Sequence, residues 1–97
     1  MKGSNMRTIW KYELDTTDYQ KIPILEPAKI LSVSSQGNQI VLYAEVNTDN
    51  MEKMYSLKII DIWIHGTGHE VKAPKNSRFI GTVKLMGGTL MFHVYVV

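Results

Sequence analysis

The chain of 97 residues contains no cysteine. That single absence removes disulfides, thiolate zinc sites, iron–sulfur clusters and cysteine nucleophiles. No apolar run approaches the ~18 residues of a membrane-spanning helix. The polar start lacks the apolar stretch of a signal peptide. Charge of one sign is also lacking: 11 Lys and Arg face 9 Asp and Glu. A domain that grips a long phosphate backbone carries a strong basic excess. Long nucleic acid is therefore not the expected partner, and neither is a membrane. A small anionic ligand held by a few residues stays open. No segment carries an amphipathic helix pattern, and repeats and low-complexity tracts are absent.

What is present is an apolar, weakly charged composition, 44% hydrophobic with 21% charged residues. That excludes a disordered chain. The length allows one domain. A chain this short buries only about 60–65% of its unfolded surface, so its stability is thin or shared with a partner subunit. Met1–Asn5 reads as a vector-derived tag ahead of a second methionine, Met6, leaving residues 6–97 as a single β domain.

The pattern is that of strands. Arg7 to Leu14 alternates, with Thr8, Trp10, Tyr12 and Leu14 on one face. Asp15-Thr16-Thr17-Asp18 reads as a turn. Lys21–Leu25 is a short extended piece that Pro23 confines to an edge, since proline cannot donate to a ladder. Ala28–Ser35 and Gln39–Asn47 form a hairpin around Gln36-Gly37-Asn38. Thr48–Met54 is a polar loop or one helical turn. Tyr55–Ile64 is the most apolar stretch, with Ile on both faces. It is a central strand covered on both sides, by another layer or by a second subunit. His65–Ser77 reads as a long loop. Phe79–Leu85 is a strand with Phe79, Gly81, Val83 and Leu85 on one side. Gly87-Gly88 turns the chain into the last strand, Thr89–Val97. The expected fold is all-β: a compact single-domain barrel, roll or sandwich of about six strands, with at most a short helix.

Chemistry-bearing residues are few. Gly66-Thr67-Gly68-His69 could converge backbone N–H groups on an anion, with the Thr67 hydroxyl and the His69 ring as further contacts. The same string could be only a strand-exit turn. It is neither a P-loop nor a dinucleotide-binding fingerprint. His65, His69 and His93 could in principle supply three imidazoles to zinc, but two glycines between the first pair argue against a helix that would align them. His93, among Phe92, Val94 and Tyr95, reads as a satisfied structural histidine. No nucleophile elbow and no carboxylate pair in a cleft-forming motif occurs, so no catalytic group or cofactor is assigned. Trp10, Tyr12, Tyr43, Trp63 and Tyr95 are candidate stacking groups. Trp10 and Trp63 read more simply as core. Arg7, Lys11, Lys58, Arg78 and Lys84 lie in or beside strands, where a few cations on one face would suit one or two phosphates.

Five separated blocks carry a family resemblance. They are Arg7-Thr8-Ile9-Trp10-Lys11-Tyr12-Glu13-Leu14, Ala28-Lys29-Ile30-Leu31-Ser32-Val33, Gly66-Thr67-Gly68-His69, Phe79-Ile80-Gly81-Thr82-Val83 and Leu90-Met91-Phe92-His93-Val94. In this order they resemble a widespread family of small bacteriophage and prophage proteins with K-T-I-x-K-Y, G-T-G-H and F-H-V blocks. That family is similar to phage anti-CBASS sponges, which bind cyclic oligonucleotide immune signals and sequester them uncleaved. The resemblance implies a cyclic dinucleotide ligand of the cyclic GMP–AMP type, a homo-oligomer such as a tetramer, and a place in the host bacterial cytoplasm. It implies no enzyme activity. The chain departs from the family in its apolar Lys58–Ile64 stretch and in Glu70-Val71, where members often carry Pro-Ile. Under this reading the ligand contacts are Gly66, Thr67, Gly68 and His69, then Arg7, Lys11, Tyr12 and Arg78. A protein-binding inhibitor of a host enzyme is the competing expectation.

Overall fold

A computed structural model describes residues 7–48 and 56–97. The expected tag and the segment from 49 to 55 lie outside the described residues. Seven strands follow in order: β1 (Arg7–Leu14), β2 (Tyr19–Glu26), β3 (Ala28–Gln36), β4 (Gln39–Asn47), β5 (Ser56–Gly66), β6 (Arg78–Leu85) and β7 (Leu90–Val96). A 3-10 turn, Met86–Gly88, joins the last two, with Gly87 and Gly88 at φ of 67° and 93°. The positive φ is why glycine stands at both positions.

All pairing is antiparallel. One sheet has the order β1-β4-β3 and the other β2-β5-β7-β6. The fold is therefore an all-β sandwich, with seven strands where the sequence suggested about six. Alternation sends Trp10, Tyr12 and Leu14 of β1 and Ile40, Leu42, Ala44 and Val46 of β4 inward. They meet Ile60, Ile62 and Ile64 of β5, Val83 of β6 and Val94 of β7. Fully burying each such Ile or Leu is worth about 1.5–3 kcal/mol, which is the main force holding the sheets together.

Hydrogen bonds from side chains bridge both lateral openings of the sandwich. On one side, the Tyr12 hydroxyl of β1 accepts the Leu25 amide of β2 at 3.3 Å. Strand β2 is an edge strand, as Pro23 requires. By alternation the Pro23 nitrogen faces the same open side as Leu25 and has no hydrogen to leave unpaired. On the other side, β3 and β6 meet. Arg78 Nη2 donates to the Ile30 carbonyl at 3.4 Å, and the Met86 amide donates to Asn38 Oδ1 at 3.2 Å.

The structure differs from the alternation reading at two places. A bulge between Phe79 and Gly81 inserts Ile80 opposite β7. Phe79 is thereby turned away from Val83 and Leu85 and stands 51% exposed. Strand β5 is central, between β2 and β7, but its outward face is covered only near its end, at His65. Ile60, Ile62 and Ile64 pack under the three-stranded sheet. Among the described residues no further layer covers the opposite face, where Ile59 is exposed and Trp63 half-buried.

Candidate functional site

The uncovered face of the four-stranded sheet carries the most distinctive side chains of the molecule. Strand register places Tyr19 opposite Trp63, Trp63 opposite Tyr95, and Tyr95 opposite Phe79. One aromatic residue from each strand thus forms a continuous row across the sheet. The Tyr19 and Trp63 ring centroids are 4.5 Å apart, tilted by 40°. Phe79 meets Tyr95 edge-on at 5.4 Å. Tyr19 is 40% exposed, so both ends of the row are open to solvent. Trp63 Nε1 is buried and has no acceptor among the described residues.

The row beside it is polar. His65, His93 and Thr82 are opposite one another on β5, β7 and β6. His93 is pinned at both nitrogens: Thr67 Oγ1 lies 2.9 Å from Nε2 and Thr82 Oγ1 lies 3.0 Å from Nδ1. Only one ring nitrogen of a neutral imidazole carries a proton, so one hydroxyl donates and the other accepts. His65 is 4% exposed, the one buried polar side chain among the described residues. Its Nε2 accepts the Lys72 and Ala73 amides at 3.2 and 3.3 Å, tying down the loop after β5. Its ring lies 5.9 Å from that of Tyr95. Lys84 follows one row further, opposite Met91.

On the far side of the aromatic row, Lys21 faces Asp61. The Tyr19 hydroxyl donates to Asp61 Oδ1 at 2.5 Å. That hydrogen bond, then desolvation and the carboxylate charge, push the Tyr19 phenol above its ordinary value of 10.0.

Gly66-Thr67-Gly68-His69 forms a tight turn, with the His69 amide donating to the Gly66 carbonyl at 3.1 Å. Gly68 takes φ of 87°, a conformation that favours glycine at this turn position. Gly66 is instead closely approached by a side chain. A Cβ there would lie 3.0 Å from the His69 ring, which packs over the bare α-carbon. The turn abuts the sheet face through Thr67 and His93. A cleft of about 330 Å³ opens beside it, lined by Asp18, His65, His69, Glu70 and Lys72.

The eight residues singled out from sequence do not assemble into one site. Gly66, Thr67, Gly68 and His69 stay together at the end of the four-stranded sheet. Arg7 and Lys11 lie on the other sheet, where Arg7 pairs with Glu45 at 3.1 Å and Lys11 donates to Gln36 Oε1 at 2.6 Å. Tyr12 points between the sheets and spends its hydroxyl on Leu25. Arg78 reaches across to β3 rather than onto the aromatic face. Of the two tryptophans read as core, Trp10 packs against it and Trp63 does not. Among the described residues no group of three or more His, Asp or Glu is gathered where it could hold a metal ion. Tyr19, Lys21, Asp61, Phe79 and Thr82 are site residues that sequence reading missed. Phe79 could be found only by seeing the bulge, and Tyr19 only by extending β2 two residues before Lys21.

No helix among the described residues is long and apolar enough to cross a membrane. No curated protein and no solved structure matches the chain. A family model spanning residues 6–97 does match, so the chain belongs to the family described as domain of unknown function DUF7352.

Proposed function

We propose that this protein binds a cyclic oligonucleotide second messenger, of the cyclic GMP–AMP type, and sequesters it without cleaving it. The aromatic row Tyr19–Trp63–Tyr95–Phe79 is the observation that carries this reading. Strands are spaced about 4.8 Å apart, so a row of four spans about 14 Å. That is room for two bases lying side by side. Each stacked base contributes about 1–3 kcal/mol, whatever its sequence identity. Polar and cationic groups flank the row on both sides, with Lys21 on one and His93, Thr82 and Lys84 on the other. They suit the sugar–phosphate ring that links such bases. The near-neutral charge of the chain fits a small ligand better than a polymer.

The resemblance of the five sequence blocks to phage proteins similar to anti-CBASS sponges supports the same reading. Under it the protein acts in the host bacterial cytoplasm as an immune-evasion factor and a homo-oligomer, such as a tetramer. Sequestration works by stoichiometric binding and asks for no catalytic group. Of the contacts expected from sequence, the Gly66–His69 turn remains in the proposed site. Arg7, Lys11, Tyr12 and Arg78 are replaced there by the aromatic row and His93.

The test is thermal unfolding with a panel of cyclic di- and trinucleotides. A ligand at ~100 times its Kd adds about 2.7 kcal/mol, on the order of ten degrees or more in Tm for a domain this size. The bound nucleotide must then be recovered intact after denaturation. If no nucleotide moves Tm, the reading is wrong. The second reading, an inhibitor of a host protein, is favoured by Leu57 and Ile59, both more than half exposed on β5. It expects a stable protein partner in a pull-down and no nucleotide effect.

A further inference from the structure

The buried imidazole of His65 has a fixed proton. Nε2 accepts two backbone amides, from Lys72 and Ala73, so it cannot itself be a donor. The proton of the neutral ring is therefore on Nδ1. Among the described residues nothing accepts that N–H, yet it is not sealed from solvent, unlike Trp63 Nε1. His65 itself lines a cleft together with Asp18, His69, Glu70 and Lys72. A side chain 96% buried, with one unpartnered donor, thus borders a cavity of about 330 Å³.

The charges around this donor select what it can meet. Asp18 and Glu70 bring two carboxylates against one ammonium, Lys72. A phosphate accepts hydrogen bonds only and is repelled by carboxylates. A hydroxyl accepts from Nδ1–H through its oxygen and donates its own proton to a carboxylate. We propose that the cleft over His65 takes a ribose hydroxyl of the bound nucleotide, a claim that rests on the nucleotide reading above. Base and sugar then divide between two adjoining surfaces: bases on the aromatic row, a ribose hydroxyl over His65. The Gly66–His69 turn, between them, is the wall of the sugar cleft rather than a phosphate cradle.

Nuclear magnetic resonance of the full chain tests this. The probes are adenosine, 2′,3′-dideoxyadenosine and inorganic phosphate, followed at the His65 ring nitrogens and the Lys72 and Ala73 amides. Adenosine should shift these signals. The dideoxynucleoside and phosphate should not. The Asp18→Asn/Glu70→Gln variant, which leaves the His65 latch intact, should weaken the adenosine effect by about tenfold or more, as expected for hydrogen bonds to charged groups. Equal shifts from the dideoxynucleoside, shifts from phosphate alone, or no shift with adenosine would each overturn the assignment. A cyclic dinucleotide that binds equally well with and without its ribose hydroxyls would overturn it too, while leaving the sequestering function standing. Failure of every cyclic nucleotide to bind would instead sink the function, with the adenosine result still deciding the cleft.

Discussion

Gly81 on β6 lies against Val33 on β3 so closely that a Cβ at Gly81 would sit 2.9 Å from a Val33 methyl. The two sheets touch here through a missing side chain. Gly81 also takes φ of 156°, where a side chain is strained, so Gly81→Ala should cost about 1–3 kcal/mol from crowding and backbone strain together. Urea unfolding measures this directly. Adding Val33→Ala should return part of the loss, because residues in contact are energetically coupled. Additive losses in the double variant would show that the close approach is not the cause.

Phe79 offers the cleanest separation of binding from stability. It is half exposed and packs mainly on Tyr95, so Phe79→Ala should leave Tm nearly unchanged. If a base stacks on the row, affinity for the cyclic nucleotide should fall by about tenfold, equivalent to about 1.4 kcal/mol. Calorimetric titration reads the difference. An unchanged Kd would remove Phe79 from the site.

Arg7 and Lys11 lie on the opposite sheet and should be silent in the same titration. Loss of the exposed Arg7–Glu45 pair should cost at most about 1 kcal/mol of stability. A large loss of affinity in Arg7→Ala or Lys11→Ala would place the ligand on the three-stranded sheet instead.

Thr67→Val removes the hydroxyl that meets His93 while keeping the side-chain shape. The expected cost is about 0.5–1.5 kcal/mol of stability. The His93 ring signal should broaden or move, and the amides of Gly66 to His69 should exchange faster. Unaltered exchange in this turn would show that His93 does not hold it.

The Tyr19 phenol titrates above 10.0, chiefly because it donates to Asp61. A group with a raised native pKa stabilises the fold below its unfolded value and loses that contribution as pH rises through the native one. Stability should therefore decline above about pH 10 by more in the parent than in Tyr19→Phe. Asp61→Asn should bring the phenol back toward its ordinary value, read by phenolate absorbance against the Tyr19→Phe background.

Period-two alternation was enough to read most strands, because an antiparallel sheet with one buried face writes its register into every second residue. The hairpin of β3 and β4 and the edge position of β2 were both legible this way. The face of Phe79 was not. A bulge shifts the alternation by one residue, and the Phe79-Ile80-Gly81 string gives no sign that Ile80 is the inserted one. The site was harder still. Tyr19, Trp63, Tyr95 and Phe79 are scattered over 77 positions of sequence, and only cross-strand register brings them into line. Arg7, Lys11 and Arg78 were singled out for charge alone, which says nothing about which sheet face a side chain occupies.

The Tyr12–Leu25 hydrogen bond has a consequence at the scale of the cell. If the protein sequesters its ligand as proposed, it must accumulate to the level of the molecule it captures. Crowding of that kind turns any bare strand edge into a seed for chain-to-chain sheet growth. On β2 one donor is occupied by a phenol from the neighbouring sheet and the next position is an imino acid with nothing to donate. At these two neighbouring positions the edge offers a newcomer no backbone donor, which interrupts the ladder that edge-to-edge pairing needs.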